Sequence, residues 1–456
     1  MSTPFEIVIE EWISDEVSDP QMRATAAEIS IRVGSHYVTE VEDHRAQTVR
    51  RSIRVSAGLM ASWLLSNWWR LRWEPFKAPG RPENLDWQLS HSLAAAGGGY
   101  VWPPLTLASD GANVLVRCDG QTKSDSADVA PIRYLNSFSE NVLSTNFERS
   151  VMGFVERVIE RLDSTGFRQT LIHQLWAETL AERQNLGDTA RRKLEALLGL
   201  DPDENDVLVS GLLSRWQEQV GKDCLEEIAA ATESTSVENV LRTSERAATT
   251  VRTYAEIADF DRVKASLEAR IPHNEPMPWQ RGRKAAYLVR EVWGLGTKPV
   301  PTEVIAARLN LSKVELDKDQ GHIPFSFALR GNTDKSVGIV LSRRYPQSRR
   351  FDIARLIGDH LVFRTEDAWK PATRSLTDRQ RFQRAFAAEF LCPSDELVRR
   401  YEGHIDLDDL DDETTRISEE FNVSQKLVLN HFANRNLIPR SVTNDGQSSF
   451  VENSAD

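Results

Sequence analysis

Apolar and polar positions divide the chain into stretches of different period. Up to about residue 137 the segments "AAEISIRVGSHYVTEVED" and "GANVLVRCDG" alternate or carry β-branched residues, the pattern of strands. From about 138 to 277 the period lengthens. "FERSVMGFVERVIERL", "LIHQLWAETLAERQ", "ARRKLEALLGL", "VLVSGLLSRWQEQV" and "SLEARI" place apolar residues at i, i+3 and i+4, which predicts helices. "PHNEPMP" at 272–278 marks a boundary. Beyond it "WQRGRKAAYLVREVWGL" reads as an amphipathic helix stopped by Gly294 and Gly296, "PTEVIAARLNL" as a second helix and "VGIVLSRRYP" as a strand. "TTRISEEFNVSQKLVLNHFANRNLI" then reads as a helix, a short turn at Asn422-Val423 and a second helix from near Ser424. The polar tail 441–456 is expected to be disordered. The organisation predicted is α+β and mostly helical: a small domain at 1–137, a helical region at 138–277 and a third domain at 278–440.

Six of the twelve tryptophans, Trp63, Trp68, Trp69, Trp73, Trp87 and Trp102, lie within forty residues of the first region. The area that aromatics bury predicts a compact core there, with a ligand platform or partner anchor as the alternative. "AAAGGGYVWPP" lacks the GxxxxGK[ST] pattern and is read as a turn that lets Tyr100 and Trp102 pack. "LDPDEND" at 200–206 resembles a calcium loop, but Asp206 replaces its glycine and Leu212 its closing glutamate, so Asp201-Pro202 is read as a helix start.

Composition narrows the function classes. A net charge of −12 and a pI near 5.4 argue against nucleic-acid binding by the whole surface, while Arg343, Arg344, Arg349 and Arg350 form a local basic run. No run approaches the ~20 apolar residues of a membrane span. "MSTPFEIVIEEWISDE" has no basic segment followed by an apolar one, so an unprocessed, cytoplasmic chain is expected. Cys118, Cys224 and Cys392 form no CxxC and are expected as buried free thiols.

Two segments carry a resemblance: "RRFDIARLIGDHL" at 349–361 and "RAFAAEFLCP" at 384–393. With the helix before them, the strand "VGIVLS" and the closing helical hairpin, they resemble the ImmA/IrrE family of bacterial zinc peptidases over roughly 278–440. That family writes the corresponding helices RFTLAHELGH and ExxANxFAAELLMP. The resemblance implies a zincin-like domain in which HExxH supplies two zinc ligands and a general base, with a third ligand on a later helix. The catalytic face departs from it at every position. Arg355 stands at the first histidine, Leu356 at the glutamate, Asp359 at the second histidine and Gln380 at the third ligand. His360 lies one position beyond, about 100° around the helix, and cannot simply replace the ligand. No metal or other cofactor is expected. Arg355 and Asp359, at i and i+4, are predicted instead to pair bidentately where the cation would sit, with Arg381 or Arg384 joining. His360 is expected as a hydrogen-bonded helix histidine and Glu389 as a capping or pairing group.

Three functions follow. The first is a catalytically degenerate ImmA/IrrE-like protein that binds a protein partner in cytoplasmic regulation or defence, since the family acts in stress and mobile-element control. The second is a metallo-endopeptidase with an unconventional zinc site built from Asp359, His360 and Glu389 together with His91 or His322. The third is a DNA-binding regulator that uses the arginine run with Gln425 and Lys426 at the start of the last helix, a reading weakened by the acidic stretch 406–413.

Overall fold

The computed structural model describes residues 3–14, 16–44, 46–76, 84–120, 132–251, 254–271, 277–312, 323–363, 366–401, 404–439 and 442. His322, part of the "PHNEPMP" boundary and nearly all of the polar tail lie outside the described residues.

The fold is α+β with helix predominating. It divides between Val209 and Ser210 into two units, so the expected helical region 138–277 is not a domain of its own. Its earlier helices complete the first unit and its later ones belong to the second. The reason lies in their apolar stripes, each of which is covered by the strands and helices of one unit or the other.

In the first unit, strands β1 (Phe5–Trp12) and β2 (Ala26–Val33) pair antiparallel, from Phe5 opposite Val33 to Trp12 opposite Ala27, with a bulge between Ile9 and Glu11. Strand β3 (Ile53–Ser56) extends the sheet along β2. Helices α1 (Ala57–Ser66), α2 (Trp68–Trp73) and α3 (Leu85–His91) follow. A second antiparallel sheet holds β4 (Leu105–Ser109), β5 (Asn113–Asp119) and β6 (Ser137–Leu143), with β5 central. Helix α4 (Ser144–Ser164) buries Phe147, Val151, Phe154, Val155, Val158 and Leu162, the i, i+3, i+4 stripe read from its sequence. Helices α5 (Leu171–Gln184) and α6 (Leu186–Leu197) complete the unit.

Trp63, Trp68, Trp69, Trp87 and Trp102 are buried, and Arg72 and Lys193 stack on the half-buried Trp73 at 4.0 and 4.2 Å. The tryptophan cluster is therefore core rather than an open platform. Gly97, Gly98 and Gly99 all take positive φ, and the turn they make lets the Trp102 indole N–H donate to Gly97 O at 2.8 Å. One boundary differs from expectation. The helix after residue 200 begins at Asp206, not at Asp201-Pro202. Asp203 takes φ +62, which interrupts helical propagation, and Asn205 caps the Leu208 N–H instead.

The second unit runs through helices α7 (Lys222–Ala231) and α8 (Val237–Ala248), strand β7 (Tyr254–Glu256), helices α9 (Phe260–Arg270), α10 (Pro278–Val292) and α11 (Thr302–Arg308), and strands β8 (Ser326–Arg330) and β9 (Ser336–Val340). Helix α12 (Pro346–Val362), strand β10 (Trp369–Ala372) and helices α13 (Asp378–Leu391), α14 (Ser394–Tyr401), α15 (Leu410–Phe421) and α16 (Gln425–Asn434) follow. The sheet order is β7–β9–β8–β10, all antiparallel. Helix α13 is the hub, flanked by α10 and α12. Both neighbours approach it at a glycine. A Cβ at Gly282 would lie 2.7 Å from Phe382 O, and one at Gly358 would overlap the Phe386 ring. The hairpin α15–α16 turns at Asn422, in the left-handed region, with Ser424 as N-cap. It buries Ile417, Phe421, Val428 and Phe432 in the same core.

Candidate functional site

Helix α12 opens at Pro346, whose fixed φ suits the first helical position, and is buried along nearly its whole length. Its buried residues include Arg349, Arg350, Asp352, Arg355 and Asp359. A charge in such a place destabilises the fold unless it is paired and hydrogen-bonded. The structure supplies a partner for each.

Asp359 is fully buried and faces α13. Arg379 donates Nε to Oδ1 and Nη2 to Oδ2, each at 2.7 Å, and Gln383 Nε2 donates to Oδ1 at 2.9 Å. This is a fork-on-carboxylate pair with a third bond. Burial by itself would raise the Asp359 pKa. The Arg379 charge and hydrogen bonds, with help from Lys370 and Gln383, outweigh it and hold the carboxyl below its ordinary range.

Arg355 points the other way. Its Nη2 donates to Thr373 O and to Gln380 Oε1, both at 2.6 Å, and Nη1 reaches Asp352 Oδ1 at 3.3 Å. Asp352 also accepts from Ser326 Oγ at 2.6 Å and Arg343 Nε at 3.3 Å. Gln380 Nε2 donates to Pro371 O at 3.0 Å. The expected Arg355–Asp359 pair is therefore replaced by two separate constellations. Helical side chains lean toward the N-terminus, so Arg355 meets Asp352, three residues earlier, while the short Asp359 side chain meets α13. The guanidinium that joins Asp359 is Arg379, not Arg381 or Arg384. Arg381 lies over the Trp279 ring at 5.2 Å, and Arg384 donates to Ser375 O at 2.9 Å.

The other predicted residues scatter. Leu356 is buried in the hydrophobic core. His360 Nε2 donates to Asp334 O at 2.6 Å. Burial, aided by the Lys370 charge, pushes the imidazole down to about 4. Glu389 accepts from the backbone N–H and hydroxyl of Ser394, at 3.1 and 2.8 Å, at the start of α14. His91, in the first unit, is buried between Leu107 O at 2.6 Å and Glu74 Oε2 at 3.0 Å. Asp359, His360 and Glu389 thus each serve a different partner.

The nucleic-acid set also divides. Arg350 is buried, with Nη1 on Thr302 Oγ1 and Nη2 on Val300 O, both at 2.7 Å, and burial pushes it down to about 10. Arg349 is buried and donates to Arg343 O at 3.2 Å. These two are unavailable to a phosphate backbone, because Pro346 turns the run into the first turn of α12 with this side inward. Arg344, Gln425 and Lys426 remain exposed.

A zinc ion needs three or four N, S or O donors converging on one point. The positions at issue offer a guanidinium, a leucine, an amide and a carboxylate already bonded to Arg379 and Gln383, and these do not fit a metal. Among the described residues the one group of acids close enough to share a cation is Glu195, Asp203 and Asp206 in the first unit, where Arg191 and Arg192 already pair with them.

Sequence reasoning missed Arg379 and Gln383, although their i, i+4 spacing puts both on one face of α13. It also missed three groups at the edge of the network. Glu227 on α7 accepts from Thr377 Oγ1 at 2.7 Å. Asp367 accepts from Cys224 N at 2.9 Å and lies 3.9 Å from Arg379 Nη1. Lys370 donates to Phe363 O at 3.1 Å. The three cysteines are free and buried. Among the described residues no helix is long and apolar enough to cross a membrane.

No protein-family model, no curated protein and no solved structure matches this chain.

Proposed function

We propose that residues 278–440 form a catalytically degenerate domain of the ImmA/IrrE type, within a cytoplasmic bacterial factor that binds a protein partner in regulation or defence rather than cutting it. The observation that carries this reading is the filling of the face where the resembled peptidases hold zinc. The Asp359–Arg379 pair and the Arg355–Gln380–Asp352 constellation occupy it with matched, buried charges. A guanidinium fork satisfies a carboxylate as a cation would, so the helices stay joined without a metal. Of the residues retained from the family pattern, Gly358 faces the Phe386 ring of the "FAAE" segment 386–389, and its missing Cβ lets α12 and α13 approach closely.

The test is metal content by mass spectrometry on protein purified without chelator, for wild type and for Asp359→Ala/His360→Ala, with a peptide-cleavage assay alongside. The expected result is no stoichiometric zinc in either protein and no cleavage. Near-stoichiometric zinc that the double variant loses, together with specific cleavage, would overturn the reading.

A further inference from the structure

Helix α7 lies against β10 and brings one carboxylate to the polar face of α12 and α13 from more than a hundred residues away in sequence. Glu227 is buried, and its acceptor oxygen meets hydroxyls: Thr377 Oγ1 at 2.7 Å and Ser375 Oγ at 3.4 Å. No cation forms an ion pair with it among the described residues. Arg379 of α13 and Asp359 of α12 face it from farther off, and those two are joined to each other. The second attachment of α7 has the same character. Gly221, at φ +101, sits where a Cβ would overlap the Asp367 carboxylate, and Cys224 N donates to that carboxylate. The groups facing Asp367 are Asp223 on the α7 side, Arg379 at 3.9 Å, and Lys370 on β10.

Besides the apolar stripe of Leu225, Ile228 and Ala229 that α7 buries, its two polar attachments are thus buried carboxyls bonded mainly to neutral donors. Hydroxyls and the Gln380 amide donate to Glu227, and the peptide N–H groups of Cys224 and Asp223 donate to Asp367, but neutral donors are weak compensation for a buried negative charge. We infer that α7 is a releasable cover over the α12–α13 polar face, latched by Glu227 and Asp367 and loosened when these carboxyls ionise. Its release uncovers Ser375, Thr377 and the Arg379 edge, a polar surface that the docked helix hides. This goes beyond the proposed function and does not depend on it, because it concerns the docking of α7 whatever the ancestry of the domain.

The direction of the effect follows from linkage. Burial pushes Glu227 up to about 7 and Asp367 up to about 6. A group raised in the docked state contributes fully below its ordinary value, and that contribution is lost as pH rises through the raised one. Asp359 is held low by Arg379 and stays ionised throughout, so the α12–α13 pairing is not altered over the same interval. Between about pH 5 and pH 8 a rise in pH loosens the cover, while neutral His360 on α12 gains its contribution only up to about its ordinary value of ~6.5, so the fall in α7 protection is read free of it above that value. For Glu227 alone the shift corresponds to a change in the opening equilibrium on the order of 100-fold.

The experiment is hydrogen exchange by mass spectrometry on the full chain from about pH 5 to pH 8, with rates corrected for intrinsic pH dependence. Peptides from 222–231 are compared with peptides from 382–391 as an internal control. Protection of α7 should fall on the order of 100-fold relative to α13 as pH rises. Glu227→Gln, which cannot ionise, should flatten most of that fall, and Asp367→Asn a smaller part. A wild-type ratio that stays constant across the range overturns the inference without any variant being needed. An undiminished pH dependence in folded Glu227→Gln overturns the role of Glu227.

Discussion

Removing one partner of the Asp359–Arg379 pair tests whether this network holds the second unit together. The Asp359 side chain is 0% exposed and that of Arg379 7%, so neither charge is screened by solvent. In Arg379→Met the carboxylate keeps one bond, from Gln383. In Asp359→Leu the guanidinium keeps none of its forked acceptors and has only Asp367, at 3.9 Å. Breaking a buried pair in this way costs about 3–5 kcal/mol, because an uncompensated charge stays inside. The double variant removes both charges and should be well below the sum of the singles, leaving a coupling energy of about 2–3 kcal/mol. Two units make global unfolding a poor two-state process. The assay is therefore hydrogen exchange against urea concentration, followed on peptides from α12 and α13, which gives the opening free energy of this region alone. Because Arg379 holds Asp359 below its ordinary value, the contribution is present above about pH 4 and is lost only as pH falls below it. Single variants that cost less than about 1 kcal/mol and add without coupling would match a solvent-exposed ion pair and refute the reasoning.

Gly358→Ala places a methyl group against the Phe386 ring and should destabilise the second unit by about 1–3 kcal/mol, read as a drop in its urea midpoint. His360 is held neutral down to about 4, so its contribution is present above the ordinary imidazole value of ~6.5 and is lost as pH falls toward 4. His360→Gln should therefore lose less thermal stability than wild type between about pH 7 and pH 4.5, measured as the shift in Tm. Arg350→Lys keeps a charge but loses the fork that spans Thr302 Oγ1 and Val300 O, and should cost about 2–4 kcal/mol in urea unfolding. Arg344→Ala with Lys426→Ala removes the exposed cations of the proposed nucleic-acid set. Duplex binding that weakens steeply with salt in wild type and vanishes in this variant would argue for DNA contact after all.

Local pattern carried much of the secondary structure. Gly294 and Gly296 as stops, the turn at Asn422-Val423 and the α4 stripe of Phe147, Val151, Phe154 and Val158 are all local signals, whereas the strand read over "VGIVLSRRYP" ends at Val340 because Pro346 opens α12 instead. The burial of five of the six clustered tryptophans follows from their area alone. The sequence shows the charges of α12, Arg349, Arg350, Asp352, Arg355 and Asp359, but not their partners. Arg355 and Asp359 are neighbours on α12, yet the direction of helical side chains and the approach of α13 gave Asp352 to one and Arg379 to the other. Arg349 and Arg350 look like a basic surface run until the packing of α12 turns them inward. Glu227 meets Thr377 across 150 residues of sequence. Periodicity reports which face of an element is apolar, because each element buries that face whatever covers it. A buried charge is satisfied by whichever group tertiary packing brings within hydrogen-bond reach, and here only the tertiary structure decided that choice.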